Sequence, residues 1–356
     1  MKAKLILENG MMMEGTAFGH IKEAVGDVVF NTRMQGYQEL LTDPSSYGQL
    51  VVMTYPLIGN YGISLDDMDS HAPFVRAFIM SEEAKTPSNW RCEMELSGYL
   101  KQNRILGLQG IDTRALTKIL SKGGEMKGII TTRELTPSQI EQKFKMPYSF
   151  HAVEQVTTAQ AYELAGSGPL VAILDLGVKR SILRGFHQKG CHMTVLPAHT
   201  SVGEILGTKP AGIILSNGPG NPEDIPEIID KVKQLIGKVP IMGIGLGHQI
   251  LALALGAKIE ELPVGHRGVN HPVKSLETGK ISITVQNHQY IVSKEALPAD
   301  LQVTHQSVND GTIEGFRHTK LPLRGIQFHP EVWEGLKDPW GVADEFVTMI
   351  GGHVHA

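Results

Sequence analysis

The sequence predicts an α/β protein in two parts: a strand-rich, mixed domain over residues 1–150 and a doubly wound, mostly parallel sheet over residues 170–356. Three observations carry this. The chain has 356 residues, which at roughly 100–200 residues per domain suggests two domains. Between Thr157 and Pro169 the composition shifts to Thr, Ala, Gly, Ser and Pro, and Ala165-Gly166-Ser167-Gly168-Pro169 reads as the connection, so 151–169 is expected to be a linker. Beyond it strands and helices alternate, the rhythm of a parallel sheet with helices on both faces.

In the first domain, Lys4 to Glu8 followed by Asn9-Gly10 reads as a strand entering a hairpin. Val28-Val29-Phe30 and Leu50-Val51-Val52-Met53 read as buried strands, separated by turn clusters such as Asp43-Pro44-Ser45-Ser46. Asp112 can accept from first-turn N–H groups of a helix that Gly123-Gly124 ends. In the second domain, Leu170 to Asp175 is continuously apolar up to its last residue, as in a strand buried on both faces. Helices are expected over 181–189, 226–236 and 249–255, and strands at 192–196, 213–216 and 241–244. Further strand-rich segments lie at 280–285, 301–305, 312–316 and 324–328.

Composition narrows the function classes. With 41% hydrophobic and 20% charged residues the chain is near the globular average. A net charge of -4 with scattered Lys and Arg argues against a nucleic-acid partner. Two cysteines, Cys92 and Cys191, exclude a disulfide framework and suit a reducing compartment. The amino terminus is not a signal peptide, and no window approaches the 18 or so apolar residues of a membrane span. The expectation is a cytoplasmic protein with no membrane partner.

Ligands bind at the carboxyl ends of strands in an open parallel sheet, and three strand ends carry unusual loops. Ser216-Asn217-Gly218-Pro219-Gly220-Asn221 presents backbone N–H groups suited to an anion or oxyanion, or else forms a plain turn. Met242-Gly243-Ile244-Gly245-Leu246-Gly247-His248-Gln249 has the strand–turn–helix shape of a nucleophile elbow, with Gly245 at the central position. A dinucleotide fingerprint there would need its third glycine at His248. Gln327-Phe328-His329-Pro330-Glu331 offers a histidine with a carboxylate two residues on, a base and its orienter.

In this order the three motifs resemble the class I glutamine amidotransferases, whose triad is a Cys in an elbow and a later His-x-Glu. The first domain adds to the resemblance. Gly26-Asp27-Val28-Val29-Phe30-Asn31-Thr32, Gly36-Tyr37-Gln38-Glu39, Leu41-Thr42-Asp43-Pro44-Ser45, Thr54 to Gly62 and Gly110-Ile111-Asp112-Thr113-Arg114 resemble the small subunit of carbamoyl phosphate synthetase, as does Gly265 to Val273. The resemblance implies a subunit that hydrolyses glutamine and passes ammonia to a large subunit, which makes carbamoyl phosphate for arginine and pyrimidine synthesis. No Gly-x-x-x-x-Gly-Lys-[Ser/Thr] loop is present. No cofactor or metal is expected in this chain, and ATP and Mg belong on the large subunit. The anthranilate and GMP synthase types lack such a first domain.

Carried onto this sequence, the resemblance implies His329 as acid/base and Glu331 as its orienter. Glutamine would be bound by Ser45, Gly218, Gly220, Leu246, Gln249, Asn287, Gln289 and Tyr290, with the Leu246 N–H in the oxyanion hole. The sequence departs from the pattern at Gly245, where the family has its catalytic cysteine. It departs also at Gln289, where glycine is usual, at Asn221, where aspartate is usual, and over 332–336. Two readings follow: a glutamine-hydrolysing subunit whose chemistry needs a cysteine at 245, or a non-catalytic subunit that stabilises or regulates an ammonia-dependent partner.

Overall fold

A computed structural model describes residues 1–146, 151–332 and 338–354. The chain divides into two compact units, Met1–Phe150 with Pro263–Gly268, and His151–Leu262 with Val269–Ala356. Residues 333–337, which hold most of the departing segment after Glu331, lie outside the described residues.

The first unit contains a closed seven-stranded barrel built from Lys2–Leu7, Met12–Gly19, Ala24–Asn31, Gln49–Met53, Ala77–Ile79, Leu106–Gln109 and Met126–Thr131. Asn9-Gly10 turns the first hairpin as expected, with Gly10 at φ 86. The barrel is mixed, because Ala24–Asn31, Gln49–Met53, Ala77–Ile79 and Leu106–Gln109 are mutually parallel and the remaining pairs antiparallel. Alternate residues of all seven strands form one apolar cluster, including Leu5, Ala17, Val28, Leu50, Ile79, Leu108 and Ile130. Period-two patterning aims those side chains to one face, and closing the sheet removes its exposed edges. Leu116 and Leu120 of the helix Thr113–Gly123 complete the cluster, and Asp112 caps that helix by accepting from the Ala115 N–H at 2.8 Å.

The second unit is built on a ten-stranded sheet. Its core is parallel: His192–Pro197, Leu170–Asp175, Gly212–Leu215, Ile241–Ile244 and Leu323–Ile326 lie side by side in that order. Antiparallel strands Ile313–His318 and Leu301–Ser307 extend it. Both faces are covered, which explains why Leu170 to Asp175 is apolar throughout. Ala172, Leu174, Ile213 and Leu215 pack on one side with the helices Pro226–Leu235 and Leu246–Ala254. Val171, Ile173, Met193 and Ile214 pack on the other with the helix Arg180–Gln188 and with Phe346 of Val342–Val354.

Residues 151–169, expected as a linker, carry structure of the second unit. Ala152–Val156 is a short helix with Ala152, Val153 and Val156 buried, and Tyr162–Leu164 pairs antiparallel with His192–Pro197 as the edge strand. The turn-rich composition concealed a short helix with buried apolar residues and a three-residue edge strand. The elbow helix, expected from Gln249, starts at Leu246. Its first turn is glycine- and histidine-bearing, so propensity alone placed its start late.

Candidate active site

The strand Ile241–Ile244 turns at Gly245 into the helix Leu246–Ala254. Gly245 adopts φ 56 and ψ -112, a backbone that glycine enters freely and that costs other residues on the order of 1–3 kcal/mol. The turn is held by backbone: the Gly245 N–H donates to Ile326 O at 2.9 Å and the Gly247 N–H to Ser216 O at 3.0 Å. A Cβ on Gly247 would lie 2.2 Å from Leu215 O, so the helix can sit this close to the neighbouring strand only with glycine there. The helix begins immediately after Gly245, so its dipole favours negative charge beside that position.

His329 lies beyond the carboxyl end of the adjacent strand Leu323–Ile326 and is buried. Its N–H donates to Val285 O at 2.9 Å, which pins the residue against the strand Ile281–Val292. The Nε2 atom faces the elbow: a Cβ built on Gly245 would stand 3.2 Å from it and 3.3 Å from Asn217 Cβ. The Nδ1 atom faces Glu331, with Oε1 at 3.6 Å. Glu331 is buried in turn and bonded through the same oxygen to the ammonium of Lys179. Position 245, His329, Glu331 and Lys179 therefore form a continuous row.

Lys179 is the residue that sequence reasoning missed. It is 1% exposed and precedes the helix Arg180–Gln188 at the carboxyl end of the first parallel strand. Its signal was its place, at a strand end on the ligand face; its type argued the other way, because lysine is almost never fully buried unless paired. Asn217 was also underweighted. Its side chain accepts from the Lys179 N–H at 3.3 Å and donates to Gly177 O at 2.8 Å, tying two ligand-face loops together.

Most residues expected to bind glutamine fall in this unit. Gly218 follows the strand Gly212–Leu215, and a Cβ there would lie 2.2 Å from Leu176 O and 2.9 Å from Leu246 Cδ2. Gly220 adopts φ 88 in the same loop. Asn221 caps the following short turn by accepting from the Glu223 N–H at 3.0 Å, so the departure from aspartate keeps a local cap. Gln249 donates from Nε2 to Tyr290 O at 2.6 Å and to Gln327 Oε1 at 3.0 Å. That joins the elbow helix both to the strand carrying Asn287, Gln289 and Tyr290 and to the segment carrying His329. Gln289 is half-buried and its Nε2 donates to Leu262 O at 2.5 Å. Ser45 belongs to the first unit, where it is buried in the turn Pro44–Ser46 and its N–H donates to Asp43 Oδ1 at 2.9 Å.

The second histidine of the motif region has another role. His248 is completely buried against the Phe316 ring, 4.9 Å between centroids, and burial pushes its pKa down to about 3. It is a packed, neutral core residue on the far side of the helix. Cys191 immediately precedes the strand His192–Pro197, at the amino-terminal end of the parallel core, opposite Gly245 and His329. Burial raises its thiol pKa, the wrong direction for a nucleophile.

A sharp strand-to-helix elbow, a buried histidine facing it and a glutamate behind that histidine define the second unit as a glutamine amidotransferase domain of class I. Residues 172–349 match the family model described as glutamine amidotransferase class-I, and residues 5–130 match carbamoyl-phosphate synthase small chain, CPSase domain. The carbamoyl phosphate synthase small chain of Clostridium perfringens is 53% identical over 347 residues, 98% of this chain and 99% of that one. The corresponding small chain of Bacillus caldolyticus is 48% identical, covering 98% of this chain and 97% of its own length. The pyrimidine-specific small chain of Bacillus subtilis is 47% identical, covering 98% and 96%. The chain belongs to the carbamoyl phosphate synthase small-chain family. Among the described residues no helix is long and apolar enough to cross a membrane.

Proposed function

We propose that the chain is the glutamine-binding subunit of a carbamoyl phosphate synthase, and that its pocket is built for a thiol at position 245 that the sequence does not carry. One observation carries this: a side chain placed on Gly245 would start 3.2 Å from His329 Nε2. A cysteine there would pass its proton to Nε2, and the thiolate, at a helix amino terminus, would attack the glutamine amide carbon. The Leu246 N–H and the Gly218–Gly220 loop would hold the oxyanion. His329, oriented by Glu331, would return the proton to the departing ammonia, and water would release glutamate from the thioester. Asn287, Gln289 and Tyr290 are assigned to the substrate's amino-acid end, and the ammonia would pass to a large subunit that holds ATP and Mg.

With glycine at 245 no thioester can form, and the chain as it stands binds glutamine without hydrolysing it. Recognition and covalent chemistry use different atoms, so one survives loss of the other. This supports the reading of a subunit serving an ammonia-dependent partner. The Gly245→Cys variant tests the pocket. It should release glutamate with an initial burst and trap a thioester at 245, both abolished by His329→Ala, while the unchanged chain shows calorimetric binding of glutamine and no glutamate. A folded, glutamine-binding Gly245→Cys variant without glutamate release would overturn the triad, and ordinary turnover by the unchanged chain would overturn the elbow.

A further inference from the structure

The base and its support are complete although the nucleophile position is glycine. His329 is buried, with Nε2 turned to the elbow, Nδ1 turned to Glu331, and Glu331 held by buried Lys179. The Gln249 amide nitrogen donates to Tyr290 O and Gln327 Oε1, which ties the elbow helix to the segment that carries His329. An imidazole nitrogen facing a position with no side chain at 245 suits a small species that donates a hydrogen bond.

We infer that this site takes ammonium from solution and that His329 removes a proton from it, so that the pocket supplies ammonia without glutamine. This rests on the reading of the site as an amidotransferase pocket without its nucleophile. Ammonium occupies the space the thiol would take and donates one N–H to His329 Nε2. That N–H bond breaks, its electron pair stays on nitrogen, and ammonia is left. The proton forms a bond to Nε2, and the imidazolium then loses it to water. Imidazole suits both halves of the cycle, because it exchanges protons near neutral pH.

Two buried charged side chains stand behind His329. Glu331 approaches Nδ1 at 3.6 Å and would close on the imidazolium as it forms. Lys179 shares the same carboxylate oxygen, so the anion is already part-neutralised. On the strands beside His329, His288 and Glu314 are engaged with Gln286, His288 Nε2 at 2.7 Å and Glu314 Oε2 at 2.9 Å, and Asp175 accepts from the Gly177 and Val178 N–H groups. After transfer the nearest charges are Lys179, Glu331 and the imidazolium, one net positive charge, beside which neutral ammonia is retained in preference to another ammonium.

The test is ammonium-dependent carbamoyl phosphate synthesis by the chain in complex with its large subunit, measured from neutral to alkaline pH. His329→Gln should raise the KM for ammonium about tenfold at neutral pH. That is less than the 10²–10⁴ typical of general base catalysis, because water also deprotonates ammonium. The difference should close at alkaline pH, where free ammonia predominates, and the KM values for bicarbonate and ATP should not move. Recovery at alkaline pH also shows that the variant complex is folded. Added glutamine should raise the ammonium KM of the unchanged complex by filling the pocket. An unchanged KM in His329→Gln at neutral pH would overturn the inference, as would a loss equal at every pH. Restoration of glutaminase by Gly245→Cys together with an unmoved ammonium KM would reject this inference alone. Failure of Gly245→Cys would reject the glutamine reading whatever the ammonium result.

Discussion

Removing Lys179 should damage the second unit more than any surface ion pair could. The ammonium lies with 1% of its side chain exposed against a Glu331 side chain that is 5% exposed. A pair so far from water contributes little net stability while whole, since desolvation offsets most of the attraction. Removing one partner is different, because it leaves the other charge buried and uncompensated, at a cost of about 3–5 kcal/mol. Lys179→Met keeps the apolar stem and deletes only the charge. At about 2–4 °C per kcal/mol for a unit of this size, the Tm should fall by roughly 6–20 °C. The double variant Lys179→Met/Glu331→Leu should recover most of the loss, because two apolar side chains need no partner. Thermal and urea unfolding of the parent, both single variants and the double variant complete the cycle. A single variant within about 1 kcal/mol of the parent would refute the reasoning, since exposed pairs give that little. A double variant no better than Lys179→Met would refute it too, because the loss would then come from packing.

Gly218→Ala should lower stability by about 1–3 kcal/mol and abolish calorimetric glutamine binding, because its Cβ would press on Leu176 O at 2.2 Å and on the Leu246 side chain at 2.9 Å. His248 gives the second unit an acid-sensitive stability: its folded pKa of about 3 lies below the ordinary value near 6.5, so the unfolded chain takes up the proton first. The stabilisation is complete above about pH 6.5 and falls by about 1.4 kcal/mol per pH unit as the pH drops towards 3. His248→Leu should flatten that slope by one proton's worth in denaturant titrations at pH 4–7, while His305, held down to about 4 by burial, keeps a similar slope of the same sign over a shorter pH range.

The parts of the site that were legible in the sequence are those whose chemistry shows in local spacing. Glycines at 243, 245 and 247 announce a turn in which strand and helix touch backbone to backbone, and that is how they are used. The carboxylate two residues after His329 announces an orienter, and the two side chains do face each other. The parallel strands were legible because burial on both faces demands continuous apolar runs. Lys179 was not legible, because its partner lies 152 residues further along the chain and no local pattern marks a lysine that will be buried. The barrel was legible as strands only, since its closure depends on pairings such as Lys4 with Thr131 that local spacing does not encode. The edge strand Tyr162–Leu164 was hidden by its length of three residues within a turn-rich stretch.

Position 245 separates what holds the site from what reacts in it. The contacts that close the turn itself are made by backbone and glycine: Gly245 N–H to Ile326 O, Gly247 N–H to Ser216 O, and the close approach of Gly247 to Leu215 O. None of them uses a side chain at 245. A cysteine at φ 56 would store strain on the order of 1–3 kcal/mol, and its Cβ would need His329 and Asn217 to yield by a few tenths of an ångström. Glycine relieves that strain, so the chain without the nucleophile is the more stable of the two. The same exchange removes the covalent step altogether, since binding and oxyanion contacts alone leave only a small remainder of an enzyme's rate. Stability and chemistry pull in opposite directions at this one residue. The arrangement of His329, Glu331 and Lys179 draws supports from the strand Ile281–Val292 and from the amino-terminal end of the helix Arg180–Gln188, so a side chain at 245 would ask only His329 of the three to give, by a few tenths of an ångström.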